Sequence, residues 1–275
     1  MYQYIFILGS NPDLSNAEID SFFDQPSITS LTPNIILLKF SQPLIEPQKI
    51  LDRLGGTIKI IEHKSTSHDD YQTTIQDFLI QYPNLPRDIG VSYYHFNTNF
   101  FTKLINLKKD LRKQQLSIRL ITNQDGSPLN AATLTKNQLT TKGLEVVSVK
   151  TADTIYTGTT LAYQNIDWYT QRDYGKPKPD PVSGMLPPKL AQIMLNLAHL
   201  KPQETIYDPF CGSGVILQEA LLQNFHIIGS DISPIAINNT IANLKWLISS
   251  FSLSRPNYRQ TLPKSIFLAD ATTNQ

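Results

Sequence analysis

The 275-residue sequence contains a single cysteine, Cys211. That excludes an internal disulfide and any multi-cysteine zinc site, and it fits a reducing compartment. No stretch approaches the ~20 consecutive apolar residues that cross a bilayer. Residues 1–9 have no basic n-region and too few apolar positions for a secretory signal, so a cytoplasmic protein is expected. Glycine is scarce, 12 residues against 18 prolines, which favours stiff turns over flexible linkers. Charge is sparse at 17 % and nearly balanced, with 24 Lys and Arg against 23 Asp and Glu. A strongly basic protein that coats nucleic acid is thereby excluded, although a local basic patch is not. The five histidines show no paired ligand spacing, and no metal site is expected. What is present is a 40 % hydrophobic content, enough for a real core, in a length that suggests about two domains.

The balanced total hides an asymmetry. Residues 1–95 carry a net charge of −5, residues 96–180 carry +5, and residues 181–275 carry +1. The positive charge is concentrated between Phe100 and Gln114, where Leu104, Leu107 and Leu111 recur at helical spacing. Lys103, Lys108, Lys109, Arg112 and Lys113 fall mostly off that stripe. On this helix alone they read as a solvated face.

Tyr4–Leu8 reads as a buried strand, and Ser15-Asn-Ala-Glu18 has the form of a capping box that starts a helix at Asn16. Strands at 34–40 and 57–61, with a helix at 47–54 between them, suggest a small α+β module closing near residue 65. A second region follows: helix 69–82, strand 89–94, the basic helix, strand 117–122, a turn at 123–126, helix 129–139, and strands 144–149 and 154–163. From Arg172 to Pro188, prolines and glycines predict an extended linker. The last ninety residues alternate strand and helix. A helix opens at Pro187-Pro188, strand 205–208 runs into Pro209-Phe-Cys-Gly-Ser-Gly214, and strand 225–230 ends at Asp231. Ser233 caps a helix with Pro234 at its first position, and a third strand, 265–269, ends at Asp270. Such alternation means parallel βαβ units, the opening half of a doubly wound sheet.

Ligands of such sheets sit beyond the carboxyl ends of the strands. Here Asp208, Asp231 and Asp270 stand at three successive strand ends, with Gly212 and Gly214 in the first turn. An acid about twenty residues past the glycine turn suits ribose hydroxyls, and one at the third strand end can accept from an adenine amine. An acid leading the glycine turn repels phosphate and attracts the ammonium of a methionine moiety. S-adenosylmethionine is therefore expected rather than a dinucleotide, and no P-loop is present.

Asp208-Pro-Phe-Cys-Gly-Ser-Gly214, Gly229-Ser-Asp-Ile-Ser233 and Leu268-Ala-Asp-Ala271 resemble successive motifs of class I RNA methyltransferases. Residues 172–191 resemble the stretch before those motifs in the family that carries an N-terminal THUMP domain. The likeness is nearest to archaeal-type tRNA guanine-N2-methyltransferases. Residues 137–145 and 158–169 look like the end of a THUMP domain, and Tyr4–Gly9 with Leu14–Ile19 like the module before it. The resemblance implies an α/β chain: an N-terminal α+β module (1–65), a THUMP-like RNA-binding domain (66–168), a linker (169–184), and the first half of a Rossmann-like methyltransferase domain (185–275). It implies a cofactor site of Asp208, Pro209, Phe210, Gly212, Gly214, Asp231, Ile232, Asp270 and Ala271, with Met185, Leu186 and Pro187 alongside. It also implies that tRNA, or another structured RNA, is the partner, which turns the cations of the basic helix into expected phosphate contacts.

The family's catalytic Asn/Asp-Pro-Pro-Tyr-type motif occurs nowhere in the sequence. No catalytic residue is assigned, and the expectation is a C-terminally incomplete chain, inactive alone. A truncated sequence, or a sheet completed by a second polypeptide, accounts for that. The alternative reading is a non-catalytic RNA-binding protein with a vestigial methyltransferase fold. Cys211, in the glycine loop, reads as a small lining residue, because methyl transfer to an amine needs no covalent enzyme intermediate.

Overall fold

The computed structural model describes residues 1–23, 26–68, 71–82, 84–96, 101–180, 184–201, 203–251 and 264–272. They form two compact units. The first comprises Met1–Pro12, Pro26–Leu51 and Thr57–Gln164; the second comprises Asp13–Gln25, Asp52–Gly56 and Asn165–Gln275. Among the described residues, no helix is long and apolar enough to cross a membrane.

The first unit is organised by one eight-stranded sheet. Its strands are β1 (Tyr2–Leu8), β2 (Ser27–Thr32), β3 (Ile35–Phe40), β4 (Thr57–Ser67), β5 (Asp88–Tyr94), β6 (Arg119–Ile121), β7 (Leu144–Lys150) and β8 (Ile155–Tyr163). Their spatial order is β2-β3-β1-β4-β8-β7-β5-β6. β5 lies parallel to both β6 and β7, and the remaining pairs are antiparallel. The module boundary expected near residue 65 falls inside β4. That strand pairs with β1 at Tyr4↔Glu62 and with β8 at Ser65↔Thr157, so one hydrogen-bonded sheet runs across it. The polar tail His63-Lys-Ser-Thr-Ser67 hid the second half of the strand. β2 was also missed, because its residues are mostly exposed at a sheet edge and show no apolar run.

The helices of this unit are α2 (Pro47–Leu51), α3 (Tyr71–Gln81), α4 (Phe101–Lys113) and α5 (Ala131–Lys136). The expected start of α3 at Asp69 lies outside the described residues. Leu104, Leu107 and Leu111 of α4 are buried against Ile75 and Leu79 of α3 and Ile89, Val91 and Tyr93 of β5. The helical spacing of the leucines therefore reported the core face correctly. In the sheet interior, Lys59 Nζ donates to Glu145 Oε1 at 2.7 Å and to the Leu129 carbonyl at 2.8 Å. Ser92 and Thr160 donate to the same carboxylate. Every heavy-atom partner is satisfied, which is the condition under which a buried ion pair is tolerated.

The second unit holds α1 (Pro12–Phe22, from Asp13 onward), α6 (Ile166–Tyr174), α7 (Pro188–Leu197), α8 (Val215–Leu222) and α9 (Pro234–Ser250). Its three strands are β9 (Thr205–Asp208), β10 (His226–Asp231) and β11 (Ile266–Leu268), parallel and in the order β11-β10-β9. Leu217, Ala220 and Leu221 of α8 and Leu244, Leu247 and Ile248 of α9 share one core with Ile227 and Ile266. This is the parallel βαβ grammar read from the sequence.

Two local expectations fail. α1 begins at Pro12, so Ser15 and Glu18 lie inside the helix and form no capping box. Glu18 is instead fully buried and accepts the Gly55 and Gly56 amides, each at 2.8 Å, and Asn196 Nδ2 at 2.7 Å. The predicted linker is partly helical. Asn165 caps α6 by accepting the Trp168 amide at 3.0 Å, and the helix runs on through Arg172. Arg172 is 1 % exposed and donates through Nε to Glu219 of α8 at 2.7 Å. Its guanidinium lies 5.1 Å from the Trp168 ring centroid and 4.5 Å from that of Tyr169. Those two aromatics therefore pack on a cation inside the unit. Residues 181–183 of the expected linker, and Pro202, lie outside the described residues.

Candidate functional site

The carboxyl ends of β9, β10 and β11 lie side by side, and the first runs into a glycine loop. β9 leads from Asp208 through Pro209 and Phe210 into the turn 211–214, and α8 starts at Val215. Gly212 and Gly214 both adopt positive φ, 52° and 82°. At Gly214 a Cβ would stand 2.9 Å from Thr240 Cγ2, so both conformation and space require glycine there. The turn closes through Gly214 N–H donating to the Cys211 carbonyl at 2.7 Å.

The rest of the loop is held from β10 and α9. Asp231 Oδ2 accepts the Gly212 amide at 2.9 Å, and Oδ1 accepts the Ser233 amide at 2.9 Å. Thr240 donates to the Gly212 carbonyl at 2.8 Å. Asn243, fully buried, donates from Nδ2 to the Ser213 and Lys178 carbonyls, each at 2.9 Å, while its Oδ1 accepts the Lys178 amide. One asparagine thus ties the segment before α7 to the glycine loop. Sequence reading missed Thr240 and Asn243, because polar residues inside a helix carry no signal that distinguishes an anchor from a solvated face. As expected, Ser233 caps α9, its Oγ accepting the Ala236 amide at 3.3 Å.

The carboxylates differ in state. Burial raises the Asp208 carboxyl above its ordinary value, the Asp231 charge adds to this, and the Phe210 amide opposes it. Asp270 is lowered by the Thr272 hydroxyl and then by the Thr272 amide, both of which donate to Oδ1. Burial pushes the Cys211 thiol up to about 11, which makes it a poor nucleophile and suits a lining role.

Each acid has an exposed apolar neighbour. Phe210 is 72 % exposed, Ile232 69 % and Leu268 58 %. Strand register places Leu268 beside Asp231, and Gly229 beside Asp208. The result is a rim of acceptors alternating with apolar surface at the carboxyl ends of the strands, suited to a ligand with hydroxyls, an amine and an aromatic ring. Ala271 is exposed just past Asp270, and the Pro209 carbonyl faces Ser230 Oγ at 3.5 Å. Met185 and Leu186 are half-buried before α7; Met185 Sδ accepts the Asp180 amide, and Pro187 is exposed at the N-cap.

In the first unit, Lys108, Lys109, Arg112 and Lys113 are exposed on α4, whereas Lys103 is half-buried. Lys113 pairs with Asp110 at 3.0 Å. Tyr163 bonds Thr135 through its hydroxyl at 3.0 Å.

Residues 176–246 match the model of the UPF0020 family, described as an RMKL-like methyltransferase domain. The tRNA (guanine(10)-N2)-dimethyltransferase of Methanocaldococcus jannaschii is 26 % identical over 225 residues, 79 % of this chain and 60 % of that protein. The protein of the same name from Methanothermobacter thermautotrophicus is 40 % identical over 77 residues, 28 % of this chain and 23 % of that one. The chain therefore spans less than two thirds of the length of these relatives. In fold it is similar to the crystal structure of TrmN from Thermus thermophilus, with a TM-score of 0.55 at 13 % identity over 98 % of this chain and 74 % of that one.

Proposed function

We propose that the second unit binds S-adenosylmethionine and that the protein methylates tRNA at a guanine N2 amine. The carrying observation is the Asp231 carboxylate. It fastens the glycine loop with one oxygen and the start of α9 with the other, at the strand end where a ribose would be read. Each oxygen retains a lone pair for a ribose hydroxyl. Asp208, half-buried and leading the loop, disfavours a pyrophosphate and favours the cationic end of a methionine moiety. Exposed Phe210, Ile232 and Leu268 offer apolar contact to adenine. Bound there, the cofactor supplies an electrophilic methyl group; the protein's part is to hold it rigidly and to present the amine in line.

The RNA half of the reading rests on α4, where Lys108, Lys109 and Arg112 stand exposed in a row off the leucine stripe, with no carboxylate paired to them among the described residues. The matched methyltransferase domain and the two archaeal tRNA-modifying relatives support the substrate class. The first unit plays the THUMP-like role. No residue of the sequence is assigned to accept the amine hydrogens.

The test is nucleoside mass spectrometry of tRNA incubated with the protein and methyl-labelled cofactor, with tRNA affinity read in parallel by fluorescence anisotropy. tRNA binding without turnover is expected of residues 1–275 alone, and label confined to N2-methylguanosine once a segment carrying the Asn/Asp-Pro-Pro-Tyr-type motif is supplied. Absence of tRNA affinity, or label in N6-methyladenosine or in protein, overturns the substrate assignment.

A further inference from the structure

A second cavity, of about 390 Å³, opens in the second unit at the end of α7. It is lined by Ser21, Phe22, Arg53, Leu195, Asn196, His199, Leu200, Lys201 and Phe225. α7 runs down to β9, and Phe225 directly precedes β10, so the cavity lies at the amino ends of the strands. The glycine loop lies at their carboxyl ends. The cavity is of nucleotide size, and its charged walls are all cations: Arg53 and Lys201, with His199 able to become one.

Arg53 is the informative residue. Its guanidinium lies 4.9 Å from the Phe22 ring centroid and is in no ion pair among the described residues. Its backbone, by contrast, is fixed with unusual care. Asn196 Nδ2 donates to the Arg53 carbonyl at 2.8 Å and to buried Glu18 at 2.7 Å. Glu18 holds the Gly55 and Gly56 amides, and Gln192 Nε2 donates to the Asp52 carbonyl at 3.0 Å. The turn packs so closely that a Cβ on Gly55 would stand 2.1 Å from the Lys189 carbonyl, and one on Gly56 2.5 Å from Ser15 Oγ. Three buried side chains, Glu18, Gln192 and Asn196, therefore fix the backbone around a cation that has no ion-pair partner among the described residues, the pattern of a supported binding residue.

The opposite wall is positioned too. His199 takes φ 52° just beyond α7, and its Nδ1 lies 3.3 Å from Ser21 Oγ, which itself donates to the Asn196 carbonyl at 2.8 Å. The C-terminal carbonyls of α7 favour a nearby cation, and this accounts for His199 and Lys201. It does not account for Arg53, which comes from a separate turn. Glu204 is the acid nearest Lys201 in sequence, and its carboxylate accepts the Lys201 amide at 2.9 Å.

We infer that this cavity binds a phosphate group, carried by a mononucleotide or by an RNA strand, through Arg53 and Lys201. Guanidinium is suited to bidentate phosphate contact, and stacking on Phe22 presents it without loss of rotamer freedom on binding. The site is independent of methyl transfer. Calorimetric titration of the full chain with 5′-UMP, with uridine, and with an RNA hexanucleotide bearing only internal phosphates tests it. The titrations are made with S-adenosylhomocysteine present and repeated on the Arg53→Gln/Lys201→Gln variant.

Saturable binding of 5′-UMP but not uridine, weakened at least tenfold in the variant, identifies a mononucleotide site. The same loss seen only with the hexanucleotide identifies an RNA backbone site. Binding that is equal in wild type and variant, or no saturable binding of either phosphate-bearing probe, overturns the inference. A variant that only melts at lower temperature, with ligand binding unchanged, would reduce Arg53 to a structural residue and overturn it equally.

Discussion

Asp231 Oδ2 accepts the amide of Gly212 at 2.9 Å, across nineteen residues of chain and from the neighbouring strand end. With Oδ1 on the Ser233 amide, one carboxylate sets both the glycine loop and the first turn of α9. Asp231→Asn replaces an acceptor with an amine facing an N–H donor. A loss of about 2 kcal/mol is expected, the usual worth of a hydrogen bond to a charged group. Chemical denaturation measures it. Asp231→Ala is expected to abolish cofactor binding while tRNA affinity stays as it was.

Gly214→Ala should separate loop geometry from loop chemistry. The substitution forces a β-carbon into a left-handed backbone and against Thr240, at an expected cost of about 2 kcal/mol. Gly214→Ala combined with Thr240→Ser, which removes the obstructing methyl and keeps the hydroxyl, should recover part of that loss. A double variant no more stable than the single one would show that φ alone sets the penalty.

The Arg172–Glu219 pair predicts a pH dependence. Burial pushes the Glu219 carboxyl up to about 7 from an ordinary 4.5, with Arg172 opposing the rise. The folded state therefore binds a proton that the unfolded state releases between those values. The resulting stabilisation is full below about pH 4.5 and is lost as pH rises to about 7. Urea unfolding from pH 5 to 8 should show this decline, and Glu219→Gln should remove it. Glu219→Leu, which strands the Arg172 charge, should cost about 3–5 kcal/mol.

On α4, Lys108→Glu with Lys109→Glu is expected to weaken tRNA binding and to lower the slope of log affinity against log salt by about 2. Both side chains are exposed, so the melting temperature should hold within a degree or two. Unchanged tRNA affinity would remove α4 from the RNA surface.

The sequence disclosed those parts of the structure where one local pattern sufficed. β9, Thr205–Asp208, was bounded to the residue, because its apolar run is closed by Pro209 and the glycine turn. The leucine stripe of α4 and the cap at Ser233 were legible for similar reasons. Where tertiary partners decide, the pattern misled. Glu18 sits three residues after a serine, as in a capping box, yet its partners are Gly55, Gly56 and Asn196, distant in the chain. α6 contains Arg172 and Asp173 and leads into Gly175 and Pro177, so it read as linker, although Arg172 is buried against Glu219. At the candidate site the acids and glycines were readable, whereas the anchors Thr240 and Asn243 were not.

Direct calorimetric titration of S-adenosylmethionine into the protein, repeated with millimolar NAD⁺ as competitor, tests the central claim. The account predicts one saturable site per chain that NAD⁺ does not displace. No binding, or displacement by NAD⁺ at comparable concentration, would contradict it.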